Sequence, residues 1–232
     1  MDKDASKEKN NCNWMIGVDD SGRGPVLGPM TLAGVLIKGE AEQETIREMG
    51  AKDSKLLTPY IRKQIGEQVK FKYKYKIENA DPKEIDDFPN LNNLEAVKAG
   101  LIINYLMKDI DEKVKVIVDA PSINAKAWGE YLMQTIVKKD QVELFSEHKA
   151  DLNWPVVSAA SIIAKENREE NIKKLKKELG VNFGSGYPSD PKTKEFLQEN
   201  WNNPKFDELI RKTWSTYKKI AEKEKQQELY LL

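Results

Sequence analysis

Residues 14–29 read WMIGVDDSGRGPVLGP, and the fold is decided by how this stretch is read. Trp14 to Asp19 has the apolar pattern of a short buried strand, and it ends in two adjacent carboxylates, Asp19 and Asp20. A turn rich in glycine and proline follows, leading into a second apolar run from Met30 to Ile37. A dinucleotide fold and a P-loop kinase are disfavoured at this turn. Its third glycine falls one place late for G-x-G-x-x-G, and Pro25 and Pro29 forbid the expected helix start. What the glycines allow is close approach of backbone N–H and C=O groups to a ligand, directly after the paired acids. The plain alternative is an ordinary tight connection.

The rest of the chain extends this beginning into an α/β fold. Thr58 and Pro59 predict a helix to about Val69. From Phe71 to Glu78 apolar residues alternate strictly with Lys and Glu, as in a half-exposed third strand. Asn93 to Lys108 carries Leu94, Val97, Leu101, Ile102, Tyr105 and Leu106 at helical spacing, and a strand follows at Val114 to Asp119. A helix over Ala125 to Val137, a strand over Gln141 to Ser146 and a long helix from Pro155 towards Gly180 complete the pattern. This order predicts a mixed five-stranded sheet flanked by helices. Its first three strands meander antiparallel, and the last two join through right-handed crossovers. Residues 1–13 read as a disordered leader, 14–190 as the main domain and 191–232 as a C-terminal helical extension with a charged tail.

Composition narrows the function. Of 232 residues, 39% are apolar and 33% charged, as expected of a globular chain. No run of apolar residues is long enough to span a membrane, and the N-terminus lacks a signal peptide's apolar core. With one Cys and one His, a thiolate or imidazole zinc site cannot assemble, and a reducing, cytoplasmic setting is expected. Any metal must be held by oxygen, which selects Mg²⁺, Mn²⁺ or Ca²⁺. Lys plus Arg equals Asp plus Glu at 38 each, so an anionic ligand needs a local patch to attract it.

Asp119 ends the Val114 strand, and Asp151 precedes the Pro155 helix. If the first and fourth strands are parallel neighbours, their C-terminal ends share the edge where open α/β sheets place ligands, and Asp19 faces Asp119. Carboxylates clustered without Cys or His partners are costly unless cations neutralise them, and paired Mg²⁺ ions do so in phosphoryl-transfer sites. Taken alone, Asp20 or Asp151 reads as a turn former or helix cap. His148 reads as a structural residue.

GVDDSGRGPVLGPM resembles the signature G-[IV]-D-E-A-G-R-G-P-V-x-G-P of the type 2 ribonucleases H, the archaeal ribonucleases HII above all. Further matches follow in the family's order: DSK at Asp53 to Lys55, NLN at Asn90 to Asn92, VDAP at Val118 to Pro121, HKAD at His148 to Asp151, VVSAASIIAK at Val156 to Lys165 and GSGYPSDPKT at Gly184 to Thr193. The resemblance implies a ribonuclease H-like fold and endonucleolytic cleavage of RNA in RNA/DNA hybrids, including ribonucleotides embedded in duplex DNA. It maps the family's four acids to Asp19, Asp20, Asp119 and Asp151 as ligands of two Mg²⁺ or Mn²⁺ ions, with Asp19 bridging them. Cleavage 5′ of the ribonucleotide, leaving 5′-phosphate and 3′-OH ends, is implied as well. Gly22, Arg23 and Gly24 resemble the backbone clamp on the 2′-OH, Tyr187 a stacking residue and Lys55 a phosphate contact.

The chain departs from the family at Asp20, where Glu is usual, and at Ser21, where Ala is usual. Asp is one methylene shorter, so a ligand there needs a shifted backbone or a bridging water. A hybrid-binding protein with weak or no turnover is therefore the rival reading, and another nuclease or integrase of the same fold is a third. The C-terminus from Gln226 to Leu232 loosely resembles a sliding-clamp-binding motif, though a frayed amphipathic helix reads it more simply. A monomer is expected.

Overall fold

The computed structural model describes residues 13–51 and 57–230. The expectations for the leader through residue 12, for the Asp53 to Lys55 block with its Lys55 contact, and for the last two residues of the clamp-like C-terminus lie outside the described residues.

Five strands form one sheet: β1 (Trp14–Ser21), β2 (Met30–Lys38), β3 (Lys74–Ala80), β4 (Val114–Asp119) and β5 (Val142–Glu147). Their order is β3-β2-β1-β4-β5, with β1/β2 and β2/β3 antiparallel and β1/β4 and β4/β5 parallel. The mixed sheet is thus the one the sequence order predicts. Helices α1 (Ala41–Glu48), α2 (Pro59–Lys72), α3 (Pro82–Asp87), α4 (Leu91–Leu106), α5 (Ala125–Thr135), α6 (Ala150–Asn153), α7 (Pro155–Leu179), α8 (Pro191–Asn200) and α9 (Ser215–Tyr230) surround it.

The alternation along β1 divides the core in two. Ile16 and Val18 pack with α4 and α5, in a cluster with Leu94, Ile102, Leu106 and Leu132. Met15 faces the other way, into a cluster with Val156, Val157, Ala160 and Ile163 of α7. Gly17 lets α7 lie directly on the strand: a Cβ there would come 2.5 Å from the Val156 carbonyl carbon. A third cluster joins Val26 and Leu27 of the turn after β1 to Ile172, Phe183, Phe196, Phe206 and Ile210. The C-terminal segment thus shares a core with that turn.

Two elements differ from the sequence reading. The third strand starts at Lys74, because the helix opened by Thr58 and Pro59 runs through Lys72 and leaves Phe71 95% exposed on its outer face. Phe71 belongs to a helical period, in which Arg62, Ile65, Gly66 and Val69 point inward. On α4, Leu101 and Tyr105 are about half exposed, whereas Ala96, Ala99, Gly100 and Ile103 are buried. Small residues win there because α5 packs close: a Cβ on Gly100 would collide with Thr135. The helical extension from Pro191 consists of α8, a 3-10 turn over Pro204–Leu209 and α9. The short helices α1, α3 and α6 add to the reading, and α6 contains Asp151.

Candidate active site

The parallel pairing of β1 with β4 runs in register through Val18 and Val118, so Asp19 and Asp119 follow one step beyond on adjacent strands. Both continue the face that packs on α7 and α6, since residues two apart in a strand share a face. Ser161 of α7 hydrogen-bonds the Asp19 carboxylate, and the Asp20 N–H donates to Asp19 Oδ1 at 2.7 Å. On the neighbouring strand, Asp119 Oδ1 accepts from the Ala150 N–H at 3.0 Å, which ties β4 to the start of α6 and brings in the buried Asp151 one residue later. Lys149, just before α6, adopts a left-handed φ of 59°, the one such non-glycine residue among those described. His148 is held by its backbone neighbourhood, with Nδ1 3.3 Å from Ala120 O.

Asp20 continues the opposite face, the one shared by Ile16 and Val18 and covered by α4. There it meets Glu95, a buried acid of α4 that the sequence reading did not single out. Asp19, Asp20, Asp119 and Glu95 line one crevice at the strand ends, with Leu32, Ala99 and Trp128 as apolar walls. Asp151 is not among its lining residues.

The electrostatics follow from this crowding. Burial, reinforced by the charges of Asp20 and Asp119, raises the Asp19 carboxyl well above the ordinary carboxylate range. Burial and Asp20 push Glu95 up to about 8, against the opposing pull of Arg23. Arg23 pairs with Glu95 through Nη1 and donates to Asn92 Oδ1 from Nη2 at 2.7 Å. Glu95 Oε1 is buried without a hydrogen-bond partner.

Gly22 has a φ of 87°, and a Cβ there would strike the Arg168 side chain at 2.3 Å, so only glycine fits this turn. Arg168 runs on to Ser185 O, 3.2 Å from Nη2, and its guanidinium lies 5.1 Å from the Tyr187 ring centre. Tyr187 also faces Gly24, where an added Cβ would lie 3.8 Å from its Cε1. Gly22, Arg23, Gly24 and Tyr187 are therefore brought together. Beside them a groove of about 530 Å³ is lined by the cations Lys165, Arg168, Lys173, Lys176 and Lys192, which outnumber the acids Glu169 and Asp190 there, a local excess of positive charge of the kind an anionic ligand needs.

The family profile named Ribonuclease HII matches residues 16–217. This chain belongs to the ribonuclease HII family. Membership makes it a type 2 ribonuclease H, a hydrolase, and sets aside the third reading of another nuclease or integrase. The chain is 42% identical to the ribonuclease HII of Pyrococcus furiosus over 209 residues, 89% of this chain and 90% of the relative. It is similar in structure to the ribonuclease H2 of Pyrococcus horikoshii OT3, with a TM-score of 0.80 and 39% identity, covering 90% of this chain and 98% of that one. The ribonuclease HII of Archaeoglobus fulgidus, solved in complex with PCNA, matches with a TM-score of 0.75 and 31% identity, covering 87% and 95%. The fold of the family is therefore the fold of this chain as well.

Among the described residues, no three acidic, histidine or cysteine side chains already converge on one point to hold an ion. The donor chemistry nonetheless fits an oxygen-preferring divalent cation. Asp19 is crowded between Asp20 and Asp119, and its raised carboxyl is what a cation would bring back to the ionised form. Among the same residues, no helix is long and apolar enough to cross a membrane.

Proposed function

We propose that this ribonuclease HII hydrolyses the RNA strand of RNA/DNA hybrids and cuts 5′ of single ribonucleotides embedded in duplex DNA, leaving 5′-phosphate and 3′-OH ends. The observation that carries this reading is the convergence of Asp19, Asp20 and Asp119 on one crevice at the ends of two parallel strands, beside the Gly22–Gly24 turn and Tyr187. Asp19, Asp20, Asp119 and Asp151 would hold two Mg²⁺ or Mn²⁺ ions. Bound there, such ions supply activation of the attacking water and neutralisation of charge on the leaving 3′ oxygen.

The protein's own residues do the rest. Ser161 and the Asp20 N–H fix the Asp19 carboxylate in place, and the Ala150 N–H does the same for Asp119. The Gly22–Gly24 backbone meets the ribose, the only part of a nucleotide that separates RNA from DNA at a given position, and Tyr187 stacks on the sugar or base. The basic groove along α7 draws in the phosphate backbone, and Lys55 contacts a phosphate. Asp20 stands on the opposite face of the sheet from Asp19 and Asp119. A side chain one methylene shorter than Glu therefore has farther to reach, which keeps a hybrid-binding protein with weak turnover as the second reading.

The Archaeoglobus fulgidus complex with PCNA supports a sliding clamp as a further partner of this chain, and the motif-like stretch Gln226 to Leu232 is the segment we assign to it. Loss of clamp pull-down on removing those residues tests that partner.

The function is tested with labelled duplexes carrying zero, one or several ribonucleotides, each in Mg²⁺, Mn²⁺ and EDTA. Metal-dependent cleavage confined to ribonucleotide-containing duplexes is expected. Binding without turnover in either metal would favour the second reading, and cleavage in EDTA would contradict the metal mechanism.

A further inference from the structure

Three backbone carbonyls of the turn after β1 converge on one side chain from the far end of the sequence. Arg211, fully buried, donates from Nη2 to Gly22 O at 2.7 Å, from Nη1 to Arg23 O at 2.9 Å and from Nε to Gly28 O at 2.9 Å. The two segments are also joined through their backbones. Arg211 N donates to Val26 O at 2.9 Å, Gly28 N donates to Leu209 O at 2.8 Å, and Leu27 forms an antiparallel bridge with Ile210. The guanidinium is met by these carbonyl dipoles and by the Trp214 ring, 5.0 Å away.

A buried cation is an expensive way to fill space. Burial, with the neighbouring Arg168, pulls the Arg211 pKa down to about 9. An apolar side chain of similar volume would pack the same position without that desolvation cost. Stability alone therefore does not call for arginine here. What the planar fork does, and an apolar side chain cannot, is fix the direction of several peptide groups at once.

That direction has a consequence for the other side of the turn. The described peptide bonds are all trans, and in a trans peptide the C=O of one residue and the N–H of the next point opposite ways. Holding the Gly22 and Arg23 carbonyls towards Arg211 therefore turns the N–H groups of Arg23 and Gly24 away from it. We propose that Arg211 is a positioning residue for ribose recognition: it presets the amides of Arg23 and Gly24 as donors to the 2′ oxygen of a ribonucleotide. This rests on the reading, made above, that the Gly22–Gly24 turn meets the substrate sugar. A 2′-OH accepts such hydrogen bonds and a deoxyribose offers nothing to accept them, so donors fixed in advance discriminate between the two. The C-terminal segment thereby takes part in recognition, and the positive charge of Arg211 is also felt by Asp20 and Glu95.

The test uses the full chain, wild type and Arg211→Met, in EDTA so that no strand is cut. Affinity is measured for a duplex with one ribonucleotide and for the all-DNA duplex of the same sequence, with melting temperature recorded alongside. Arg211→Met is expected to lower the ratio of the two affinities about 10-fold, the loss of roughly one hydrogen bond, while affinity for the all-DNA duplex stays the same. An unchanged ratio in a folded variant would overturn the proposal. Should the variant fail to fold, the wild-type backbone amide resonances decide instead. Those of Arg23 and Gly24 should shift with the ribonucleotide duplex and not with DNA, and the absence of a selective shift overturns the proposal. Equal affinity of the wild type for both duplexes would overturn the underlying reading of the turn, and this proposal with it.

Discussion

Arg23, in the turn after β1, forms an ion pair with Glu95, 72 residues further along on α4, and this pair ties the turn to the same crevice that holds Asp20. The pairing is costly on one side, because burial and the charge of Asp20 push Glu95 up to about 8. A carboxyl raised in the folded state binds its proton more tightly there than in the unfolded chain. Its contribution to stability is therefore fully present below the ordinary range near 4.5 and is lost as pH rises through about 8. Without divalent metal, the melting temperature of the wild type should fall across this window. In Glu95→Gln, which keeps the shape and cannot ionise, that part of the fall should disappear. Identical pH profiles for the two proteins would contradict the assignment.

Asp20 is the position where reach decides rate. It leaves β1 on the α4 face while Asp19 and Asp119 continue the α7 face, so a one-methylene extension matters more here than at the other acids. Asp20→Glu should raise the Mg²⁺-dependent rate, on the order of 100-fold if the shorter ligand is displaced by about 1 Å. Mn²⁺, which accepts less ideal geometry, should already rescue part of that rate in the wild type. Affinity for uncleaved hybrid should change little. Equal Mg²⁺ rates for Asp20 and its Glu variant would show that the backbone already compensates.

Tyr187 lies against both Arg168 and Gly24, at the mouth of the basic groove. Tyr187→Ala should cost about 5- to 150-fold on a single embedded ribonucleotide, the worth of one lost stack, and less on a long hybrid with more alternative contacts. Equal losses on both substrates, measured as kcat/KM, would make Tyr187 a structural residue.

How much of this was legible in the sequence follows from which signals are local. The Val114–Asp119 strand is legible because Val116, Ile117 and Val118 run together and end at an acid, whereas the parallel β1/β4 pairing enters the sequence reading only as a condition, which the sheet meets. Phe71 fits both periods because helix and strand patterns overlap for a few residues at a boundary, and only the cap at Thr58 fixes the helical phase. Glu95 was invisible as a site residue. A single acid inside a helix reads as surface, and its burial depends on Arg23, itself held by Asn92 of the same helix, meeting it across the fold. Arg211 was invisible for the same reason, since nothing near Leu209 or Lys212 in the sequence announces that Gly22, Arg23 and Gly28 will close around it.

If the carboxylates at the ends of β1 and β4 carry hydrolysis at a ribonucleotide, Asp119 offers the cleanest probe of it. Its carboxylate accepts a hydrogen bond from the Ala150 N–H, and Asn can still accept that bond through its amide oxygen. The decisive measurement is single-turnover cleavage in Mg²⁺ of a duplex with one ribonucleotide, comparing wild type with Asp119→Asn and mapping the fragment ends. Wild-type cleavage 5′ of the ribonucleotide with 5′-phosphate and 3′-OH ends is expected, with a folded Asp119→Asn protein that binds the duplex without detectable turnover. A near-normal rate in Asp119→Asn would contradict that role of the carboxylates.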